Sequence, residues 1–251
     1  KILFCGYHGW HDWYIASNHD DINNLNNHLF NGLEPNGVPS GLSNTAIPFN
    51  YNDITGFIEL FEKNKDDTAA VIMEPLRLYK PNIEFFKEIR KKTLEYDIPL
   101  IYDEITSGWR QTIGGVHSCN NNSNTKSECC APKSKDCVFP DPDIVLYSKA
   151  IGNGFPFACL IGVDKLFKHA ENTFISSTLW TEKIGTIAAI TTIKYFMDHN
   201  VVDIVKNGGE KFRDIMKNLS NKYEYKFKCN GGIEALSFFR IEKDGVSVNK
   251  V

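Results

Sequence analysis

Short apolar runs alternate with longer amphipathic stretches along most of this chain. Four runs are strand-length and almost purely apolar, and they cover residues 1–5, 69–73, 99–102 and 144–147. Strands that are apolar throughout are typical of a parallel sheet that is buried on both faces. The pattern therefore predicts an α/β fold in which helices cover both faces of a mostly parallel sheet.

Two helices between these strands have a predicted start and a predicted buried face. Asp53 is expected to cap the first helix, and Asn82 is expected to open the second. The inward residues are Phe57, Leu60 and Phe61 in the first helix and Phe85, Phe86 and Ile89 in the second; the outward residues of the second are Lys87, Glu88, Arg90 and Lys91.

Beyond residue 156 the predicted helices become longer and the strands fewer. The elements are a strand over 157–161, a short helix capped by Asp164, a helix over 183–199 with Ile187, Ile190, Ile193 and Met197 near helical spacing, a helix over 201–223 interrupted at Gly208-Gly209, and a strand over 234–241. We therefore expect a partial large domain over residues 1–199 and the truncated beginning of a smaller α+β domain over residues 200–251.

Two polar stretches do not fit the alternation of strands and helices. Residues 20–50 are rich in Asn, Gly and Pro and predict a long irregular loop of the kind found at active sites and interfaces. Residues 118–137 have no apolar periodicity and predict a disordered or loosely held insertion. The insertion contains Cys119, Cys129, Cys130 and Cys137. With His117 they leave a zinc site open as a less favoured alternative, because no C-x-x-C pair is present.

Composition narrows the class of protein. The chain has 251 residues, of which 42% are hydrophobic, so it can bury a sizeable core. Its formal net charge of -3 provides no basic surface for nucleic acid, and no apolar stretch is long enough for a bilayer span. An odd number of cysteines favours a reducing compartment, so we expect a cytoplasmic protein in which Cys5, Cys159 and Cys229 are buried thiols. The chain begins with a predicted strand and has no initiator Met, so we expect it to be part of a longer protein.

Charged residues follow three of the predicted strands at the point where each strand ends. Glu74 follows 69–73, Asp103 follows 99–102, and Lys149 follows 144–147. The carboxyl ends of parallel strands meet at one edge of a sheet, where open α/β folds bind their ligands. Singly, each carboxylate also suits a turn, and Lys149 suits a surface charge as well as a nucleophile. Jointly they predict a site whose amine is suited to Schiff-base chemistry.

The loop after the first strand is rich in aromatic residues. Residues 6–14 contain two glycines together with Tyr7, His8 and further aromatic and imidazole side chains. Such a ring can stack on a planar cofactor, or the cluster can simply close the core. The hydroxyl-rich stretch 173–181 leaves a similar choice between a phosphate-binding segment and an ordinary strand edge.

Five short segments occur in a specific order along the chain. They are Tyr-His-Gly at 7–9, Glu-Pro at 74–75, Asp-Glu-Ile-Thr-Ser-Gly-Trp-Arg at 103–110, Ser-Lys-Ala-Ile-Gly-Asn-Gly-Phe-Pro at 148–156 and Ser-Thr at 177–178. Through them the chain resembles the class III pyridoxal-phosphate (PLP) aminotransferases of fold type I, a group that includes the glutamate-1-semialdehyde 2,1-aminomutases. The resemblance covers nearly everything except residues 118–137 and implies the large PLP-binding domain of that fold.

The resemblance also implies roles for individual residues. Lys149 would form the Schiff base with PLP and move the proton between substrate and cofactor, and Asp103 would pair with the pyridinium nitrogen. The remaining roles are Tyr7 and Ile105 on the two faces of the ring, His8 beside it, Glu74 at the edge shared by substrate and cofactor, and Thr178 at the cofactor phosphate of the neighbouring subunit.

The function implied by the resemblance is PLP-dependent amino-group transfer between small-molecule amine and carbonyl substrates, in a homodimer with its active site at the subunit interface. An aminomutase, which moves nitrogen within one molecule, is the alternative, and residues 7–9 and 177–178 are slightly closer to that branch. A catalytically silent homologue that serves as a scaffold or subunit is the alternative from another class; retention of Lys149 and Asp103 argues against it. The family's main phosphate-binding turn and most of its small domain are expected outside residues 1–251.

Overall fold

The structure is a computed structural model, and it describes residues 1–76, 78–120, 139–178, 181–223, 225–229 and 232–247. The strands are β1 Ile2–Cys5, β2 Ala46–Pro48, β3 Ala70–Met73, β4 Leu100–Asp103, β5 Ile144–Tyr147, β6 Cys159–Gly162, β7 Lys226–Cys229, β8 Phe239–Lys243 and β9 Val246–Ser247. The α-helices are α1 Asp12–Ile15, α2 Ile54–Asn64, α3 Ile83–Glu95, α4 Asp164–Ala170, α5 Ile184–Asp198 and α6 Val201–Lys222. Short 3₁₀ helices cover Ala16–His19, Ser40–Leu42, Lys65–Asp67, Val116–Asn120, Lys149–Gly152 and Glu234–Leu236.

The larger sheet has the strand order β2-β1-β3-β4-β5-β6. Its first five strands in this order run parallel, and β6 is antiparallel to β5. A second, antiparallel sheet has the order β7-β8-β9 and follows α6. The prediction of an α/β fold with a mostly parallel sheet is confirmed, whereas the domain boundary between residues 199 and 200 stays a prediction.

Helices and loops cover both faces of the larger sheet. Successive residues of a strand point to opposite sides, so each strand contributes side chains to both faces. On one face, Leu3 and Val71 pack in the cluster that also contains the phenylalanines of α2 and α3. On the other face, Phe4 and Ile72 pack in a cluster with Tyr14 of α1. Burial on both faces explains why these strands are apolar throughout.

The two predicted helix starts are confirmed, and one predicted surface residue is not on the surface. The Asp53 carboxylate accepts a 2.9 Å hydrogen bond from the Gly56 N–H at the start of α2, and the Asn82 side chain caps α3 in the same way. Arg90, however, turns inward and makes a bidentate pair with Asp143, with Nη1–Oδ2 at 2.6 Å and Nη2–Oδ1 at 3.0 Å. The pair ties α3 to the residue before β5, a long-range contact that helical periodicity does not indicate.

Helix α6 is continuous, so the predicted interruption at Gly208-Gly209 is wrong. The reason lies in packing at Gly209, where a Cβ atom would come within 2.2 Å of the Glu234 carbonyl oxygen. A glycine at this position therefore permits close approach of α6 to the 3₁₀ helix Glu234–Leu236, rather than ending the helix. The same 3₁₀ helix replaces the start of the strand predicted over 234–241, of which only residues 239–241 belong to β8.

Other predicted elements differ in smaller ways. Asp164 is the first residue of α4 and makes no side-chain cap. The loop predicted over 20–50 contains β2, which pairs with β1. Cys5 is buried as predicted, whereas Cys159 and Cys229 are only half-buried. Most of the predicted insertion, from residue 121 to 137, lies outside the described residues.

Candidate active site

The parallel strands bring most of the predicted site residues to one edge of the sheet. Register pairs Cys5 of β1 with Met73 of β3, Met73 with Tyr102 of β4, and Asp103 with Leu146 of β5. Tyr7, Glu74 and Lys149 each follow within a few residues of those paired positions. The sequence prediction that the strand ends place acids and an amine along one edge is therefore confirmed by the topology.

Asp103 is a buried carboxylate held by two hydrogen bonds. It is 4% exposed. Its Oδ2 lies 2.9 Å from Nδ1 of His8, and its Oδ1 accepts a hydrogen bond from the Ile105 N–H at 3.1 Å. Because an ionised carboxylate only accepts hydrogen bonds, we assign the hydrogen of this contact to His8 Nδ1. The acid is thereby fixed in orientation at the end of β4.

The second nitrogen of His8 lies in an aromatic environment. The imidazole ring packs edge-on against Phe4 and Tyr14, with ring centroids 6.2 and 5.9 Å away. Within the described part of the chain, its Nε2 is buried and has no hydrogen-bond partner. The ring is therefore held by the Asp103 contact on one side and by aromatic packing on the other.

Lys149 begins the 3₁₀ turn after β5 and is exposed in this chain. Its backbone has φ of +51°, a left-handed conformation that is uncommon for a residue with a side chain. The Nζ atom donates a 3.1 Å hydrogen bond to Oγ1 of Thr106. Thr106 lies three residues after Asp103, so one turn of chain connects the acid to the residue that contacts the amine.

Glu74 fixes the start of the aromatic loop. The carboxylate is 3% exposed, and its Oε2 accepts a 2.9 Å hydrogen bond from the Tyr7 N–H. Gly6 has φ of +120°, and a Cβ there would lie 2.7 Å from Glu74 Oε2, so both conformation and space require glycine. Burial, together with the Glu74 carboxylate, raises the pKa of the neighbouring Cys5 thiol far above its usual range. Cys5 is therefore a neutral thiol and not a competing nucleophile.

Two cavities adjoin this edge of the sheet. One, of about 300 Å³, lies beside Glu74 and is also lined by Gly6, His28 and Tyr51. The other, of about 700 Å³, is lined by Lys149 and by Arg110, and it extends to α5 and α6. Arg110 is partly buried in the wall of this cavity, and this burial lowers the pKa of its guanidinium from the ordinary value. Both cavities are large enough to admit a small molecule to the edge where Lys149 and Glu74 lie.

Glu104 follows Asp103 directly but serves the structure of the loop. It is fully buried and accepts hydrogen bonds from the Val116 N–H at 2.8 Å, from His117 Nδ1 at 3.1 Å and from Ser107 Oγ at 2.5 Å. With these three donors around it, the carboxylate holds the segment after β4 against residues 116–117. His117 thus has a carboxylate partner, and the side chains of the four cysteines in the zinc alternative lie outside the described part of the structure.

The structure does not bring every predicted site residue to Lys149 and Asp103. Tyr7 and Ile105 are half-buried beside this edge of the sheet. Thr178, in contrast, is exposed in an irregular segment, and no hydrogen bond between described residues joins it to Lys149 or Asp103. Its predicted role lies across a subunit interface, so this placement leaves that role a prediction.

Two residues of the site were missed by sequence reasoning. Thr106 lies inside the 103–110 motif, but the motif does not indicate that its hydroxyl meets Lys149. His28 lies in the Asn-rich loop, is 6% exposed, and accepts a 3.1 Å hydrogen bond from the Gly6 N–H through Nδ1. The composition of that loop carries no signal for His28, whereas a polar residue three positions after a site acid could have suggested Thr106.

The donor set fits a planar heteroaromatic aldehyde such as PLP. A buried, oriented carboxylate suits a protonated ring nitrogen, and an amine on the neighbouring strand end suits an aldehyde carbon. The half-buried ring of Tyr7 and side chain of Ile105 are apolar surfaces of the kind that flank a flat ring. In the parts of the chain that the structure describes, no group of three or more His, Cys, Asp or Glu side chains is arranged to hold a metal ion. Likewise, none of the described helices combines the length and apolar character needed to cross a bilayer.

A family model and several known proteins match this chain. A family model described as "Aminotransferase class-III" matches residues 6–232. The chain is 29% identical over 219 residues to the 3-aminobutyryl-CoA aminotransferase of Cloacimonas acidaminovorans (strain Evry), covering 84% of this chain and 44% of that protein. It is 27% identical over 212 residues to glutamate-1-semialdehyde 2,1-aminomutase 2 of Lachnoclostridium phytofermentans, covering 81% of this chain and 46% of that protein.

Solved structures share the fold. The PLP internal aldimine form of the FumI protein from Sphingopyxis sp. MTA144 superimposes with a TM-score of 0.74 at 19% identity, covering 98% of this chain and 53% of that one. An omega-transaminase from Sphaerobacter thermophilus gives a TM-score of 0.69 at 21% identity, with 96% and 53% covered. The chain therefore spans about half the length of the relatives that it matches.

Proposed function

The chain belongs to the class-III aminotransferase family, and from this membership we propose that the protein transfers amino groups with pyridoxal phosphate as its cofactor. Lys149 is the proposed nucleophile and Asp103 the proposed partner of the ring nitrogen. The substrates are small molecules that carry an amine or a carbonyl group.

The observation that carries the proposal is the joint placement of Asp103 and Lys149 on neighbouring parallel strands. Register pairs Asp103 with Leu146, three residues before Lys149. Thr106, three residues after Asp103, accepts the Lys149 N–H. A structural carboxylate alone, or a surface lysine alone, would not require this coincidence. Their joint placement supports a site that binds one ring at its two opposite ends.

PLP, when bound, accepts the electrons that a substrate carbon releases on losing its proton. Lys149 would supply the amine that binds the cofactor aldehyde and, once the substrate amine has taken its place, would move a proton between the substrate and the cofactor. The Asp103 carboxylate would accept a hydrogen bond from the ring nitrogen and favour its protonated form. His8 Nδ1 and the Ile105 N–H orient this carboxylate.

Four further residues are proposed to hold the cofactor. Tyr7 and Ile105 would lie against its two faces, and Glu74, which binds the Tyr7 N–H, would lie at the edge next to the substrate. Thr178 would bind the cofactor phosphate across a subunit interface. The exposed position of Thr178 in the single chain is consistent with a partner subunit there.

Assembly and location are two further parts of the proposal. A homodimer is proposed because the role of Thr178 requires a second subunit, and light scattering of the full-length protein would test it. A cytoplasmic location is proposed from the cysteine content and from Cys5, a buried thiol outside any disulfide. Fluorescence microscopy of a tagged full-length protein would test the location.

An isotope experiment separates transfer between molecules from transfer within one molecule. The full-length protein with PLP is given a ¹⁵N-labelled amine donor and an unlabelled carbonyl acceptor. An aminotransferase moves ¹⁵N to the acceptor, whereas an aminomutase returns nitrogen to a different carbon of the molecule from which it came. The aminomutase is kept as a second candidate because several relatives carry that name, the example above among them. No nitrogen movement with any donor, in wild type as in Lys149→Ala, would identify a silent homologue.

A further inference from the structure

We propose that Thr106 is a positioning residue that holds the Lys149 amine at the place where it meets the cofactor aldehyde. This proposal rests on the proposed function. The relevant contact is the hydrogen bond from Lys149 Nζ to Thr106 Oγ1, at 3.1 Å. Thr106 is 5% exposed, so its hydroxyl is presented from a buried side chain.

Thr106 is well suited to fix another side chain because it is fixed itself. Its branched Cβ restricts the side chain to few rotamers. Its carbonyl oxygen accepts a 3.0 Å hydrogen bond from Arg110 Nη1. In the same turn, the Gly108 N–H donates to the Glu104 carbonyl oxygen at 2.8 Å. The hydroxyl therefore projects from a turn that is held at several points.

The Lys149 side chain is long, so a fixed hydrogen-bond acceptor such as Thr106 can restrict it. It is exposed, and its four-carbon stem has many rotamers. The left-handed backbone at φ of +51° aims the side chain from the 3₁₀ turn, and the hydroxyl of Thr106 then selects the rotamers that reach it. A reactive amine that is already in position loses less entropy when it reacts.

The turn from Asp103 to Thr106 also sets the distance between the two ends of the site. The ring nitrogen and the aldehyde of PLP lie on opposite sides of a rigid ring, so acid and amine must be correctly spaced. Asp103 is fixed through Oδ1 by the Ile105 N–H, and Lys149 is held by the residue that follows Ile105. One short segment thus carries both contacts and keeps their separation constant.

The test compares three variants of the full-length, cofactor-free protein with wild type. Thr106→Val removes the hydroxyl at nearly constant volume, and Thr106→Ser retains a hydroxyl. Thr112→Val is the matched control, because Thr112 is 4% exposed and donates to the Gly114 carbonyl oxygen. Among the described residues, its hydroxyl makes no hydrogen bond to Lys149. Two independent probes then report on the Lys149 amine.

The first probe is capture of PLP. The Lys149 nitrogen adds to the aldehyde carbon and one water leaves. Added borohydride then supplies hydride to the carbon of the carbon–nitrogen double bond and solvent supplies a proton to the nitrogen, which leaves a secondary amine. Timed quenching and peptide mass spectrometry give the capture rate at Lys149. We expect Thr106→Val to be roughly 3- to 15-fold slower, the factor for one lost hydrogen bond, and Thr106→Ser to lie within about 2-fold of wild type.

The second probe is acetylation by an N-hydroxysuccinimide ester, which needs no cofactor site. Loss of the hydrogen bond to Thr106 makes the Lys149 amine more accessible to a reagent from bulk solvent, so we expect several-fold faster acetylation of Lys149 in Thr106→Val. Lys92, whose side chain is 16% exposed and paired with Glu62, reports on folding in the same sample. Its rate should stay unchanged.

The two probes separate the possible outcomes. Slower capture with faster acetylation in Thr106→Val, both restored in Thr106→Ser and absent in Thr112→Val, supports the proposal. If Lys149 in Thr106→Val is acetylated and captures PLP at the wild-type rates, the proposal is overturned. If wild type captures no PLP while acetylation still responds to Thr106, the contact exists but the proposed function fails. If Lys92 reactivity shows that Thr106→Val is unfolded, Thr106→Ala takes its place. Its capture and acetylation rates are then compared with those of Thr106→Ser, and the same outcomes support or overturn the proposal.

Discussion

Gly208 and Gly209 are adjacent residues of α6 that we expect to respond in opposite ways to alanine. A Cβ at Gly208, which is exposed, would have no other atom within 4 Å. Gly208→Ala should therefore stabilise the fold by about 1 kcal/mol, since alanine loses less entropy than glycine in a helix. At Gly209 the same Cβ would lie 2.2 Å from the Glu234 carbonyl oxygen and 2.5 Å from its carbon.

The magnitude at Gly209 follows from which atoms are in the way. The obstruction is backbone, so it cannot be relieved by a rotamer change, and α6 must move away from Glu234. Overpacking of this kind costs about 1–3 kcal/mol. The helix-propensity gain is common to both variants, so their free energies of unfolding should differ by about 1–3 kcal/mol.

Urea denaturation followed by circular dichroism measures this difference directly. A difference of 1 kcal/mol moves the midpoint by roughly 0.3–1 M for ordinary slopes. We expect Gly208→Ala to unfold at a higher urea concentration than wild type and Gly209→Ala at a lower one than Gly208→Ala. Equal midpoints for the two variants would show that α6 does not approach Glu234 closely, and the account of the unbroken helix would be wrong.

Three further predictions concern the acids and their partners. His8→Phe removes a hydrogen-bond donor from the buried carboxylate of Asp103 and should destabilise the cofactor-free protein by about 1.5–3 kcal/mol in urea denaturation; an unchanged midpoint would contradict the contact. Asp103→Asn should weaken PLP binding by roughly 10- to 100-fold in a cofactor titration, because a charge-assisted hydrogen bond becomes a neutral one, and equal affinity would argue against its pairing with the ring nitrogen. Burial opposes ionisation of Asp143, but the hydrogen bonds from Arg90 and the Leu100 N–H hold its pKa below the ordinary value. Its contribution to stability is therefore present above the unfolded-state pKa and lost as the pH falls through the folded-state pKa, so the urea midpoint should drop less steeply in acid for Asp143→Asn than for wild type.

The layout of the large sheet could be predicted because its strands are buried on both faces. An apolar run such as 69–73 followed by a carboxylate gives both the strand and the position of Glu74 from local sequence. The same holds for Asp103 and Lys149, since parallel strands place their ends at one edge whatever their order. The positions of the acids and of the amine thus follow from sequence without knowledge of the strand order.

Features that depend on long-range contacts could not be predicted in this way. Strand β2 has three residues and includes a proline, and its partner is β1, which is more than 40 residues away in sequence. The contact of Thr106 with Lys149 joins residues from two different strand ends, and no local pattern indicates it.

Helix α5 shows the limit of periodicity in an apolar helix. Ile187, Ile190 and Met197 are apolar residues near helical spacing, yet their side chains are 62%, 48% and 71% exposed. Ala189 and Phe196 are buried instead. Because α5 is apolar on more than one side, spacing alone does not select the face that packs against the core.

The central claim is that Lys149 is the residue that binds PLP, and an absorption spectrum tests it most directly. Full-length wild type, Lys149→Ala and Lys91→Ala are mixed with PLP, freed of excess cofactor and scanned; Lys91 is the control because its side chain is 68% exposed and lies on α3. We predict a bound visible absorption band in wild type and in Lys91→Ala, and its loss in Lys149→Ala. A band that survives in Lys149→Ala, or that is missing from wild type, would contradict the account.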